Sequence, residues 1–281
     1  MSSLGLGLIA AFCWGLHDIA VRWLSRSVQL MAALFWVLIA GLIFHSAVIV
    51  HSGEAIRPSA QGLWLSVASG AAYLAAGLGL YYAFARGPVR LVAPIIGAYP
   101  MLSLGLAALT GAVITLGQIM AVLLIVVGVA VTAALSNHDT ENDPAAGPTI
   151  LLSILSSAGF AVTFKLGHMA TELDGELSAT LFARLTGLAL LTVLMLVRRA
   201  SFWPGGRALP VLAAMGTLDG IALLAVVAAG NLPAPELAAV ASSMFGLFTV
   251  VLAAVLLKER MSLPQWTGCI MAFAGIGYLA L

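Results

Sequence analysis

The chain has 281 residues, of which 62% are hydrophobic and only 8% charged, with a mean hydropathy of +1.10 and a formal net charge of +1. A soluble domain carries about a quarter charged residues, so this composition excludes one and reads as an all-α integral membrane protein. The near-neutral charge excludes a nucleic-acid partner, which needs clustered Lys and Arg, and the two cysteines, Cys13 and Cys269, both in apolar runs, exclude a disulfide framework.

A helix crossing about 30 Å of hydrocarbon needs about 20 mostly apolar residues. The first such run, near Ser3 to Leu24, lacks a basic leader and carries Trp14, His17 and Asp18, so it is expected to stay as a helix rather than be cleaved. Further spans are expected near Gln29 to Val50, Gly62 to Ala85, Leu91 to Thr110 and Thr115 to Leu135. Pro94 and Pro100 interrupt the hydrogen-bond ladder of the fourth of these. The polar stretch SNHDTENDPAAGP, residues 136–148, reads as a linker. Five more spans follow, near Thr149 to Ala170, Glu176 to Val197, Ala208 to Ala229, Pro235 to Leu257 and Leu263 to Leu281.

The two halves resemble each other. One constant offset pairs Pro88 with Pro235, Leu109 with Leu256, Leu116 with Leu263, Gln118 with Gln265 and Gly128 with Gly275. Residues 1–135 and 149–281 are therefore read as one five-helix unit written twice. An odd number of spans per unit forces the second copy to enter from the opposite face, so ten transmembrane helices in two inverted five-helix repeats around a central cavity are expected. Abundant glycine within the spans fits close helix packing, as does the small-residue ridge of Ser103, Ala107 and Gly111. Arg22, Arg26, Arg86, Arg90, Arg198, Arg199, Arg207, Lys258 and Arg260 fall in loops on one side of this map, with Arg57 alone on the other. The positive-inside rule puts the first set in the cytoplasm and both termini outside.

In inverted repeats of this kind substrate binds near the bilayer midplane. The midpoints of the expected spans fall near Trp14, Tyr73, Tyr99, Phe160, Asp219 and Phe245, and Ser243 lies close by, so these are the candidate cavity residues. Asp219 is the most central carboxylate. It would accept a substrate ammonium or carry a coupling proton, or else form a structural ion pair with Arg184 of the preceding span. Asp18 and Lys165 occupy equivalent places in the two halves and are candidate gates. The competing readings are an i,i+4 pair of Asp18 with Arg22 and a snorkelling Lys165 stem. His17 and His45 read as hydrogen-bonded structure, and Glu236 as a dipole partner in the first turn after Pro235. Neither a zinc-protease helix, a nucleophile elbow, a P-loop nor a dinucleotide fingerprint is present, so no catalytic, metal, cofactor or ATP site is expected.

The AFCWG of the first span, the YYAFARGPVRLVAPI run, and the closing AAVLLKERMSLPQWTGCIMAFAGIGYLAL with Lys258, Glu259, Arg260, Gln265 and Gly268 resemble the drug/metabolite transporter superfamily, in its ten-helix EamA-like branch. Within that branch the chain is similar to amino-acid exporters of the YddG type. The resemblance implies alternating access and export of aromatic or other neutral amino acids, or related metabolites, across a bacterial-type inner membrane; proton antiport through Asp219 and facilitated diffusion are equally compatible with the sequence. Export of cationic drugs, a non-transporting membrane subunit and an intramembrane lipid enzyme are the rival readings. Members of the branch are usually described with cytoplasmic termini, opposite to the charge count. The turn Gly111-Ala112-Val113 lacks the acidic and basic residues of its counterpart around Glu259.

Overall fold

The computed structural model describes residues 2–109, 111, 113–135, 146–230, 232 and 236–279; residues 107, 227, 230, 236 and 239 are described in backbone only. The expected linker residues 136–145, Pro235, Ala112 and the side chains of Ala107 and Glu236 lie outside that description. The described chain is entirely helical. Its elements are α1 (Ser3–Leu24), α2 (Leu30–Ser52), α3 (Ala60–Arg86), α4 (Val89–Gly97), α5 (Tyr99–Leu109), α6 (Leu116–Ala134), α7 (Ala146–Asp174), α8 (Glu176–Val197), α9 (Leu209–Gly230), α10 (Glu236–Ser243), α11 (Phe245–Leu256) and α12 (Leu263–Leu279). Eight helical stretches among the described residues are long and apolar enough to cross a membrane, counting Val89–Leu106 across α4 and α5 as one.

Local chemistry explains where these helices start. Ser2 and Ser59 cap α1 and α3 by accepting from the amides of Gly5 and Gly62. Thr115 and Gln118 close a capping box at the start of α6, each side chain satisfying the other's backbone N–H. Ser262 and Gln265 build the same box at the start of α12, with the Ser262 amide 2.8 Å from Gln265 Oε1. The two glutamines matched in the sequence therefore perform one job twice.

Two of the expected spans are broken. The first ends at Ala98, between α4 and α5; Pro94 cannot donate to the ladder, while Pro100 sits in the first turn of α5, where no partner is needed. The second break, at Met244 between α10 and α11, corrects the single helix expected from Pro235 to Leu257, and no proline marks it. There the Ser243 hydroxyl takes the Val240 carbonyl at 2.7 Å, competing with the backbone ladder. The helix α7 also runs past both ends of its expected span, reaching Asp174.

The packing repeats as the sequence does. The most extensive contact is of α3 with α7, and its counterpart under the sequence offset, α9 with α1, is also large. Likewise α2 packs on α9 as α3 packs on α8, and α6 packs along its own counterpart α12. In the α6–α12 seam, a Cβ at Gly268 would stand 2.7 Å from the Gly128 carbonyl oxygen, and one at Gly275 would stand 2.6 Å from that of Ala121. Glycine is what allows the backbones to touch.

The two ends of the bundle differ. At the end holding the basic loops, Glu259 accepts from the amides of Val89 and Arg90 at 3.0 and 3.3 Å, and Arg90 donates to the Arg260 carbonyl. Arg22 donates to the carbonyls of Phe84 and Ala85, Trp36 to that of Phe202, and Gln265 to that of Leu135. The largest buried apolar cluster, including Leu24, Leu38, Phe84, Val89, Leu191, Met195 and Leu212, lies beneath these bonds. Toward the other end the described residues form two smaller clusters, one between α1 and α9 and one among α5, α6, α11 and α12. There Ser59 bonds Asp174 across the loops.

Gly268→Val puts a branched side chain where α6 and α12 touch. It is expected to destabilise the fold by about 1 to 3 kcal/mol, read as a lower thermal midpoint of the detergent-purified protein.

Candidate functional site

Beyond the large apolar cluster, polar and aromatic side chains from α1, α3, α5, α7, α8, α9 and α11 meet near mid-span. The centre is an ion pair: Arg184 Nη2 on α8 donates to Asp219 Oδ2 on α9 at 2.7 Å, with side chains 7% and 17% exposed. Trp14 Nε1 on α1 donates to the other carboxylate oxygen at 3.1 Å. Asp219 is thus held on both oxygens by donors from two helices. The Arg184 Nε–H is buried without an acceptor among the described residues, as are those of Arg22, Arg86 and Arg90, but it alone lies beside the mid-span carboxylate. Such an orphaned donor costs about 1 to 3 kcal/mol unless something binds it.

The guanidinium fits because Gly41 of α2 has no side chain, and a Cβ there would collide with Arg184 Nη1. Around the pair stand two aromatic groups. Trp14 meets Phe245, the first residue of α11, edge to face at 6.0 Å between ring centroids. Tyr73 meets Phe160 at 6.4 Å, Phe160 stacks on Phe164 at 6.1 Å, and Phe164 reaches Tyr99 at 4.9 Å. Tyr73 lies within electrostatic reach of both Asp219 and Arg184. Its hydroxyl and that of Tyr99 find no protein partner among the described residues.

The structure therefore brings Trp14 and Phe245 to Asp219 and its partner Arg184, and sets Tyr73, Phe160 and Tyr99 in one aromatic row through Phe164. Ser243 is buried, and its hydroxyl is committed to its own helix. Asp18 corrects the i,i+4 expectation: its partners are His17 Nδ1 at 3.3 Å and the Thr249 hydroxyl at 3.2 Å, while Arg22 turns to the end of α3. Lys165, half-buried on α7, makes no hydrogen bond or ion pair among the described residues. Sequence reasoning missed Tyr81, Thr249 and Phe164. Phe164 and Thr249 each stand one helical turn beyond a midpoint aromatic, Phe160 and Phe245, and that spacing was the available signal.

The sequence profile of the EamA-like transporter family matches twice, over residues 1–134 and 147–281, and so accounts for nearly the whole chain. The chain belongs to the EamA-like transporter family. It is accordingly a multi-pass membrane protein of a transporter family, not an enzyme family, and that family lies within the drug/metabolite transporter superfamily. None of the curated proteins compared with the EamA-like chain matches it. A solved structure described as "Crystal structure of protein" is 17% identical, with 98% of this chain and 95% of that one covered and a TM-score of 0.70. At that identity the likeness speaks for the fold of the EamA-like chain alone.

Breaking one side of the central pair leaves a buried charge. Arg184→Met is expected to destabilise the protein by about 3 to 5 kcal/mol, whereas Lys165→Gln, which removes no bond, should leave the thermal midpoint within about 0.5 kcal/mol of wild type. Differential scanning of the purified variants checks both.

Proposed function

We propose that the protein is a secondary transporter that exports neutral amino acids, aromatic ones among them, or closely related zwitterionic metabolites, by alternating access. The observation that carries this reading is the Arg184–Asp219 pair with a spare guanidinium N–H, set among aromatic rings at mid-span. A zwitterion offers one carboxylate and one ammonium on the same carbon. Its carboxylate would accept from Arg184 Nε and its ammonium would approach Asp219. The protein's charges then remain compensated, and the orphaned donor gains an acceptor. The apolar substituent would lie against Trp14 and Phe245, or against Tyr73 and Phe160, where aromatic contact adds about 0.5 to 1.5 kcal/mol.

The matched helix pairs support two inverted five-helix repeats, residues 1–135 and 149–281, making ten passes, two of them broken; of the expected 136–148 linker, residues 146–148 already belong to α7. The breaks at Ala98 and Met244 fall within one residue of equivalent positions, on either side of the site. Such paired breaks are natural places for two half-helices to tilt in turn. The dense basic end, clasped by Glu259, would be the closed side of the present conformation and the opposite end the open one. By the positive-inside rule the closed side faces the cytoplasm of a bacterial-type inner membrane, with both termini outside.

Counterflow into proteoliposomes tests the reading. L-Phenylalanine is expected to exchange, while phenethylamine, which lacks the carboxylate, and 3-phenylpropionate, which lacks the ammonium, should each exchange at least about tenfold more slowly, since one lost charge contact is worth 1.4 kcal/mol or more. Equal rates for the amine would favour a cation exporter. No exchange of any probe would remove the transporter reading.

A further inference from the structure

A second carboxylate lies buried beside the site, and unlike Asp219 it has no arginine. Asp18 is 3% exposed. Its Oδ1 stands 3.3 Å from His17 Nδ1, and its Oδ2 accepts from the Thr249 hydroxyl at 3.2 Å. On the far side of the imidazole, the Tyr81 hydroxyl stands 3.4 Å from His17 Nε2. Arg22, one turn along the same helix, is turned to the carbonyls that end α3. The arginine of α8 is taken by Asp219. An ionised carboxylate in this position is costly without a cation, and an ionisable group inside a membrane usually marks a pathway or a proton.

We propose that His17 and Asp18 together form a one-proton site that couples substrate movement to the proton gradient; the proposal rests on the transporter reading above. With His17 neutral, Nδ1–H donates to Asp18 and Nε2 accepts the Tyr81 proton, leaving the unit with one negative charge. When a proton arrives at Nε2, the imidazolium and carboxylate neutralise each other, and Tyr81 turns its hydroxyl so that its oxygen accepts. No heavy atom has to move and no bond other than N–H forms or breaks. The proton leaves by the same atom when the site faces the other compartment.

The groups facing this unit make the site selective for a proton rather than another cation. From α3 it meets Tyr81 and, further off, Tyr73; from α9, Asp219, whose charge Arg184 of α8 offsets. Thr249 faces it from α11, and Leu237 to Ser243 of α10 hold no ionisable residue. On α1 itself the neighbours are Trp14 and Arg22. Among the described residues the hydrogen bonds to Asp18 come from one hydroxyl and one imidazole, not from the set of oxygen ligands a hard metal ion takes.

Geometry also supplies the link to substrate. The Thr249 hydroxyl has one proton and two acceptors, Asp18 Oδ2 and the Phe245 carbonyl at 2.9 Å. Phe245 opens α11 at the break, and its ring packs on Trp14, which donates to Asp219. The protonation state of Asp18 and His17 thus bears on whether Thr249 ties α11 to α1 or to its own helix. Asp219 lies within electrostatic reach of both His17 and Asp18, so a zwitterion seated on it changes the field at the proton site.

The test uses the full chain in proteoliposomes with L-phenylalanine as the probe, comparing uphill accumulation driven by a one-unit pH difference with counterflow at equal pH. In Asp18→Asn and in His17→Gln the ratio of driven accumulation to counterflow should fall at least about tenfold. Thr249→Val, nearly the same in volume, removes a donor to the carboxylate, so the unit should hold its proton to higher pH and the midpoint of driven accumulation should move up by about one unit. This variant also answers for the site if the charge-removing ones fail to fold. A wild-type ratio and midpoint in the variants, or wild-type counterflow with no response to the pH difference, would overturn the proton site while leaving the transporter reading intact. Absence of wild-type counterflow would remove both.

Discussion

One buried ion pair, Arg184 with Asp219, sets the terms for the rest of the molecule. Two charges taken out of water in the middle of a hydrophobic bundle are tolerable only where geometry is close to ideal and further donors complete the carboxylate. The chain meets those terms with a 2.7 Å contact, a third helix contributing Trp14, and a glycine at position 41 that leaves space for the guanidinium. What the pair leaves unfinished is as informative as what it completes. Arg184 Nε has no acceptor among the described residues, a feature it shares with Arg22, Arg86 and Arg90; what sets Arg184 apart is its place at mid-span beside a carboxylate, which suits a seat that is sometimes occupied.

The second constraint is duplication. Because one helical plan is used twice, features at one end should have partners at the other, and departures from that symmetry are where the two conformations of a transporter would differ in energy. The capping boxes and the α6–α12 glycines keep the symmetry. The clasp of Glu259 on the start of α4 breaks it, since the equivalent residue in the first half is Ala112 and cannot offer a carboxylate to a helix start. A carboxylate on two helix-terminal amides stabilises that end, and no matching bond would stabilise its counterpart. On the proposed reading, that imbalance would favour closure of the basic end.

Much of the fold was legible beforehand because lipid leaves few choices: apolar runs of sufficient length become helices, and Gln118 and Gln265 betray the duplicated starts. The break at Met244 was hidden, since it depends on a serine hydroxyl turning inward and not on a proline. The site was legible at the level of depth, because helical rise alone puts Trp14, Tyr73, Phe160 and Asp219 near mid-span. Rotation was not. The Arg184–Asp219 pair could be offered from depth as one of two readings, but that Arg22 turns away from Asp18, and that Tyr81 and Thr249 complete a network around His17, depend on which face of each helix is turned inward. Nearly uniform apolar helices give periodicity little to register. His17 was read as mere structure for the same reason.

The most direct test of the central claim separates a bridge that holds the protein together from one that holds a substrate. Replacing both partners at once, Arg184→Met with Asp219→Leu, removes the buried charges together and fills the space with apolar atoms, a change that is often neutral or stabilising for a fold. The measurement is L-phenylalanine counterflow by this double variant, with its thermal midpoint as the folding control. The account predicts a midpoint near or above wild type and counterflow reduced to background; a stable double variant that still exchanges phenylalanine at the wild-type rate would contradict it.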